Sequence, residues 1–121
     1  MKQIPVTQKN NYQVVIVGGG PAGLTAGLYL SRSRIDTVLL EKTMVGGQVD
    51  LTEMIENYPG FPEGILGPDL IQLFEKQAVR FGLAIKNQNV HSLDLENSNE
   101  RTKFRINTDT GIIKAQALIL A

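Results

Sequence analysis

The chain has 121 residues, 42% hydrophobic and 20% charged, and its 12 Lys and Arg balance 12 Asp and Glu, leaving no formal net charge. A chain of this length buries roughly two-thirds of its unfolded surface in one domain. The absence of cysteine excludes a disulfide framework, a thiolate metal site and a cysteine nucleophile within these residues. The single histidine, His91, excludes a paired-histidine mechanism, and a neutral balance without a basic run argues against binding nucleic acid.

Met1 to Gln13 contains no continuous apolar stretch of the kind a secretory signal needs. No apolar run approaches the roughly 20 residues that span a bilayer, so the expected location is the cytoplasm and no membrane contact is expected. Residues 1–12 read as an N-terminal lead-in, Lys9 to Tyr12 included, and residues 13–121 as the domain. Val14 to Val17 is a short β-branched run closed by Gly18-Gly19-Gly20, which fits a buried strand. Pro21 suits a first helical turn, and a helix is predicted from it to about Arg34, with Ala22, Gly23, Ala26 and Gly27 as a small-residue face for close packing. Asp36 to Glu41 restores an apolar strand, completing a βαβ unit with a right-handed crossover.

Lys42 to Pro68 is rich in Gly and Pro and reads mostly as loop, with a helical turn around Val49 to Met54 and with Ile55, Tyr58, Phe61 and Ile65 packing it on the core. Asp69 to Phe81 is an amphipathic helix whose Leu70, Ile71, Phe74, Ala78 and Phe81 share one face, with Gly82 as its stop. Leu83 to Ile85, Val90 to Leu95, Phe104 to Thr108 and Ile112 to Ala115 alternate as strands of an antiparallel meander, with turns at Asn97 to Asn99 and Asp109 to Gly111. Ala117 to Ala121 is again wholly apolar and suits return to a buried parallel sheet, which would comprise Gln13 to Val17, Asp36 to Glu41, Leu83 to Ile85 and this last strand. An apolar strand at the very end of a chain is the pattern of a segment of a longer protein.

Gly18, Gly20 and Gly23 form G-x-G-x-x-G between a predicted strand and a helix, the context in which that motif has physical meaning. Gly18 permits the tight turn, Gly20 lets the backbone approach a pyrophosphate, and Gly23 admits close packing of helix on strand. The helix N-terminus offers free N–H groups and the positive end of its dipole. Glu41 closes the second strand roughly 20 residues beyond the motif, where a carboxylate accepts hydrogen bonds from the hydroxyls of an adenosine ribose. This fingerprint does not separate FAD from NAD.

Gly46-Gly47-Gln48, followed by Glu56-Asn57-Tyr58-Pro59-Gly60-Phe61-Pro62, resembles the FAD-binding domain of the low-molecular-weight thioredoxin reductases (class II pyridine nucleotide-disulfide oxidoreductases). That family carries G-G-Q and then E-N-[YFW]-P-G at this spacing. The resemblance covers essentially the whole chain. It implies a three-layer, Rossmann-like α/β fold made of parallel sheet, helices and antiparallel β-meander, incomplete at its C-terminus. It also implies that Gly18, Gly20, Pro21, Ala22 and Gly23 line the FAD pyrophosphate and Glu41 holds the ribose. Gly46, Gly47, Gln48 and Asn57 would follow the ribityl and isoalloxazine portion, and Val90 would meet the adenine through its backbone. In the family the redox-active Cys-x-x-Cys belongs to a downstream NADPH domain and a C-terminal Gly-Asp segment completes the FAD site, and neither motif occurs in these residues. The implied parent is a homodimeric, NADPH-dependent flavoprotein that reduces a thioredoxin-like disulfide protein, and this chain alone is expected to be inactive. Two other readings stay open: a cysteine-less relative such as a thioredoxin-reductase-type ferredoxin–NADP reductase, and a non-catalytic nucleotide-binding module that needs a partner subunit. His91 and the cations Arg32, Arg34, Lys76 and Arg80 read as surface, and Tyr58 and Phe61 as anchors of their loop or as neighbours of the flavin.

Overall fold

The computed structural model describes residues 9–43, 45–46, 53–96 and 103–121. Strand β1 (Asn11–Val17) leads into helix α1 (Pro21–Arg32) and strand β2 (Thr37–Glu41), and the short strands β3 (Met54–Ile55) and β4 (Ile65–Leu66) precede helix α2 (Gly67–Arg80). Strands β5 (Ala84–Asn87), β6 (Val90–Leu95), β7 (Phe104–Thr108) and β8 (Gly111–Leu120) follow. Six of the strands form one sheet in the order β5-β2-β1-β8-β7-β6, and β3 pairs antiparallel with β4.

β1 and β2 are apolar on both faces because both faces are covered. Val14 and Ile16 of β1 and Leu39 of β2 share a core with Leu24 of α1, Ile71 and Ala78 of α2, and Leu83. Tyr12 and Val15 of β1, with Val38 and Leu40 of β2, share a second core with Ile106, Ile113 and Ala115 of β7 and β8. In the hydrogen-bonded order β7 lies three places from β2, yet Ile106 packs with Val38 and Leu40. The sheet therefore folds back along β8, and the result is the expected stack of helices, parallel sheet and meander.

β8 accounts for the fold-back. Ile112 to Ala115 and Ala117 to Ala121 are expected as separate strands, but they are halves of one strand. Its first half pairs antiparallel with β7, Gly111 to Ala115 opposite Thr108 to Phe104. It also runs parallel to β1, with Lys114 and Ala115 opposite Asn11 and Tyr12 and then Ala117 to Leu120 opposite Val14 to Val17. Residues 84–87 belong to the parallel ladder beside β2 and not to the meander. The predicted lead-in is also too long, since β1 begins at Asn11 and Tyr12 is buried in the core; residues 1–8 lie outside the described residues.

Both helices end on a residue with positive φ. After α2, Gly82 (φ 100°) donates to the Val79 carbonyl and Leu83 to that of Ala78, the paired bonds of a left-handed C-cap. After α1, Arg34 (φ 61°) takes the same role, donating to Ser31, while Ile35 donates to Leu30. Hence α1 stops at Arg32 and not at Arg34. α2 starts two residues earlier than expected, at Gly67. Phe81 leaves the buried face predicted for it, because as the capping residue it turns 37% exposed.

The stretch read mostly as loop contains the β3–β4 pair, Met54 opposite Leu66 and Ile55 opposite Ile65. Met54 is thus a strand residue and not the end of a helical turn; Val49 to Thr52 lie outside the described residues, as does the predicted turn at Asn97 to Asn99. Tyr58 stacks tilted on Phe61, with centroids 6.2 Å apart, and on Phe74 of α2 at 5.6 Å. The loop is therefore anchored on α2, although Tyr58 is still 41% exposed.

Candidate functional site

The C-terminal ends of the parallel strands meet at one corner. Gly18 follows β1 with φ 115°, its N–H bonded to the Leu40 carbonyl. A Cβ on Gly18 would lie 2.2 Å from the Ala121 carbonyl oxygen, and one on Gly23 would lie 1.9 Å from the Gly18 carbonyl oxygen. The turn and the close helix–strand approach therefore both require glycine, as the motif predicts. On the small-residue face, Gly27 meets Leu83, where a Cβ would come within 2.5 Å of its side chain, whereas Ala22 is exposed.

Gly20 sits at the N-cap of α1 with extended backbone, and no side chain caps the helix. Its carbonyl accepts the first helical bond, from Leu24 N–H at 3.0 Å. Pro21 occupies the first turn, which contains no acidic residue. With no side-chain cap and no acid in its own first turn, this helix start keeps N–H groups and a dipole end that suit an anion.

Glu41 stands beside this start at the end of β2. Its Oε2 accepts the Gly19 N–H at 2.6 Å, and its Oε1 accepts from the Thr43 N–H at 3.3 Å and hydroxyl at 3.4 Å. Partial burial pushes the carboxyl pKa up. The N–H groups of Gly19, Thr43 and Lys42 and the Thr43 hydroxyl push it down, and the net shift is downward. Glu41 is accordingly an ionised, pure acceptor at neutral pH, with lone pairs left for hydroxyl donors.

Gly46 adds a second fastening, since its N–H donates to the Gly19 carbonyl at 2.8 Å and its φ is 137°. Gly47 and Gln48 lie outside the described residues. Asn57 is exposed in the loop before Tyr58, and His91 is exposed on β6. Val90 opens β6 half-buried against the core that contains Val38 and Leu40. It follows Gln88, whose N–H donates to the Glu41 carbonyl at 3.1 Å. The structure thus brings together Gly18, Gly20, Pro21, Gly23, Glu41 and Gly46, while Asn57 and Val90 lie on separate elements.

Sequence reasoning misses three participants. Gly19 is the middle glycine of three and outside the motif, yet it alone of them donates to Glu41. Thr43 lies two residues beyond the carboxylate, and Asn87 comes from another strand. Assigned with its amide nitrogen toward the β2 turn, the orientation that avoids setting oxygen against oxygen, Asn87 donates to the carbonyls of Glu41 at 3.2 Å and Lys42 at 3.0 Å. The run of three glycines ahead of a strand-end carboxylate was a usable signal for Gly19. Nothing local marks Asn87.

A family model described as pyridine nucleotide-disulphide oxidoreductase matches residues 12–121. Among curated proteins, the chain is 36% identical over 121 residues to the bifunctional thioredoxin reductase/thioredoxin of Mycobacterium leprae, covering all of this chain and 26% of that protein. It is 40% identical to thioredoxin reductase 2 of Arabidopsis thaliana, covering 90% of this chain and 29% of that protein. The chain thus spans less than a third of the length of these two relatives. Among solved structures, a thioredoxin reductase from Gloeobacter violaceus superimposes with a TM-score of 0.82 at 40% identity, over 93% of this chain and 37% of that one. A thioredoxin reductase from Lactococcus lactis gives 0.81 at 35% identity, over 90% and 34%.

Proposed function

Because the chain belongs to the pyridine nucleotide-disulphide oxidoreductase family, we propose that it is the N-terminal FAD-binding part of an NADPH-dependent, thioredoxin-reductase-like flavoprotein. The observation that carries this reading is the pairing of an uncapped, acid-free helix start at Gly20 and Pro21 with an ionised Glu41 beside it. One site favours a dianionic pyrophosphate and the other a pair of hydroxyls, and the two stand side by side as in an adenosine diphosphate moiety. When bound, FAD would supply the chemistry of accepting a hydride and passing electrons to a disulfide.

The residues of this chain bind and orient. Gly18, Gly20, Pro21, Ala22 and Gly23 would present backbone to the pyrophosphate, with Gly18 and Gly23 keeping that backbone close to the strand. Glu41 would accept the ribose hydroxyls. Gly46, tied to Gly19, would line the ribityl chain and ring together with Gly47, Gln48 and Asn57. Amides at Gln48 and Asn57 suit a neutral ring edge, because each donates and accepts without adding charge. Val90 would offer backbone to the adenine. The whole protein would be a cytoplasmic homodimer, and its electron acceptor a thioredoxin-like disulfide protein.

The test is a titration of the purified chain with FAD and with FMN, followed by flavin absorbance and fluorescence. FAD binding at least tenfold tighter than FMN is expected, since FMN lacks the adenosine half that Glu41 addresses. Equal affinities for the two flavins would overturn the reading.

A further inference from the structure

Resting on that reading, we propose that Asn87 is the positioning residue of the ribose subsite, setting the direction of the Glu41 carboxylate from the neighbouring strand. Asn87 is the last residue of β5, in register with Glu41 across the parallel ladder. Its amide orientation is assigned from its surroundings: with the nitrogen toward the β2 turn it donates to two successive carbonyls, those of Glu41 at 3.2 Å and Lys42 at 3.0 Å, whereas the opposite orientation would set oxygen against oxygen. The first N–H beyond β5, that of Gln88, also goes to the Glu41 carbonyl, at 3.1 Å. The turn leaving β2 is therefore fastened to β5 by three hydrogen bonds at its first two carbonyls.

The consequence for the carboxylate follows from the planarity of the peptide. The Lys42 carbonyl and the Thr43 N–H belong to one rigid unit and point in opposite directions. With its carbonyl held by Asn87, that peptide directs its N–H toward Glu41 Oε1, 3.3 Å away. The Thr43 hydroxyl comes to the same oxygen at 3.4 Å, and Oε2 is fixed from the other side by Gly19 at 2.6 Å. Both oxygens are thus oriented before any ligand arrives, which lowers the cost of ordering them on binding. Asparagine suits the position because a single NH₂ group carries two donors for two acceptors on a short side chain. Asn87 is exposed and outside both cores, so its substitution acts on the turn and leaves the packing of the domain in place.

The experiment is done on the whole chain with Asn87→Ala, and with Asn87→Ser, which keeps one donor. The ionisation of Glu41 is followed by carbon-detected NMR without ligand, alongside FAD and FMN affinities. In Asn87→Ala the Glu41 titration moves up toward the ordinary glutamate range, FAD binding weakens about threefold to tenfold, and FMN binding is unchanged. Asn87→Ser lies between, and it alone decides if the alanine variant does not fold. A Glu41 titration identical to wild type in the folded variants would overturn the proposal, as would equal losses for FAD and FMN. If the Glu41 titration moves in Asn87→Ala while Glu41→Gln leaves FAD affinity intact, the positioning stands and the ribose reading fails.

Discussion

Two regions of this molecule are rich in glycine, and they use it for opposite reasons. At the corner after β1, a side chain on Gly18 or Gly23 would strike main-chain oxygen at 2.2 or 1.9 Å. In the loop between β3 and β4, Gly60 has φ 102° but a Cβ there would meet nothing within 4 Å. The corner is glycine because two stretches of backbone touch, and Gly60 is glycine because the chain must turn. Contact between backbones has no soft neighbour to give way, whereas a turn can relax over several residues.

The sharpest way to break this contrast is Gly23→Ala. The added carbon cannot coexist with the Gly18 carbonyl at 1.9 Å, so α1 must move off β1 or the turn must rebuild. The expected loss is about 3 kcal/mol or more, read as a lowered midpoint in urea denaturation. A loss below about 1 kcal/mol would mean that the corner yields as easily as a loop.

Next in size is Glu41→Gln, which separates the corner's chemistry from its packing. Glutamine keeps the shape but loses the charge-assisted bonds, and FAD affinity should fall by about 1–2 kcal/mol. Its effect on stability depends on pH with a definite sign. The folded-state pKa of Glu41 is lowered, so the carboxylate contributes stability above the unfolded-state value, and this is lost as pH falls through the folded one. The gap between wild type and Glu41→Gln, measured by thermal denaturation, is therefore open at neutral pH and closes in acid. A gap that stayed constant across that range would show that the Gly19 bond does not depend on the charge.

The corner was legible in the sequence and the loop was not, for a reason visible in the residues. Val14 to Val17, the spacing of Gly18, Gly20 and Gly23, and Glu41 at a strand end are all signals written in short stretches of sequence. The β3–β4 pair has two residues per strand, too few for any periodicity to register. β8 reads as two strands because Gln116, exposed and polar, interrupts its apolar run just past Lys114 and Ala115, which pair with β7 on one side and β1 on the other. The Asn87 clamp joins residues from different strands and leaves no pattern along the chain. Arg34 misled in another way: a left-handed cap with arginine in place of glycine hides the end of α1.

Gly60→Ala tests the loop side of the contrast and should cost about 1 kcal/mol, the cost of the backbone conformation alone. Gly82→Ala is its control, with φ 100° and likewise nothing within 4 Å of an added Cβ. Similar losses in the two would establish that φ without contact sets the magnitude, well below Gly23→Ala.

The smallest effect has the opposite sign. Arg34 holds φ 61° at the end of α1, a conformation that costs an L-residue about 1–2 kcal/mol relative to the right-handed one. Glycine removes that cost but gives the unfolded chain more freedom, an offset of about 0.5–1 kcal/mol. Arg34→Gly should therefore stabilise by a net of about 0.5–1 kcal/mol, seen as a small rise in Tm. Arg34 and the Gly82 position share the same hydrogen-bonded cap, one with arginine and the other with glycine. If Arg34→Gly destabilised the chain, contacts of the arginine side chain would have to outweigh the strain of its backbone. Conformation alone would then no longer rank the glycines that lie outside the corner.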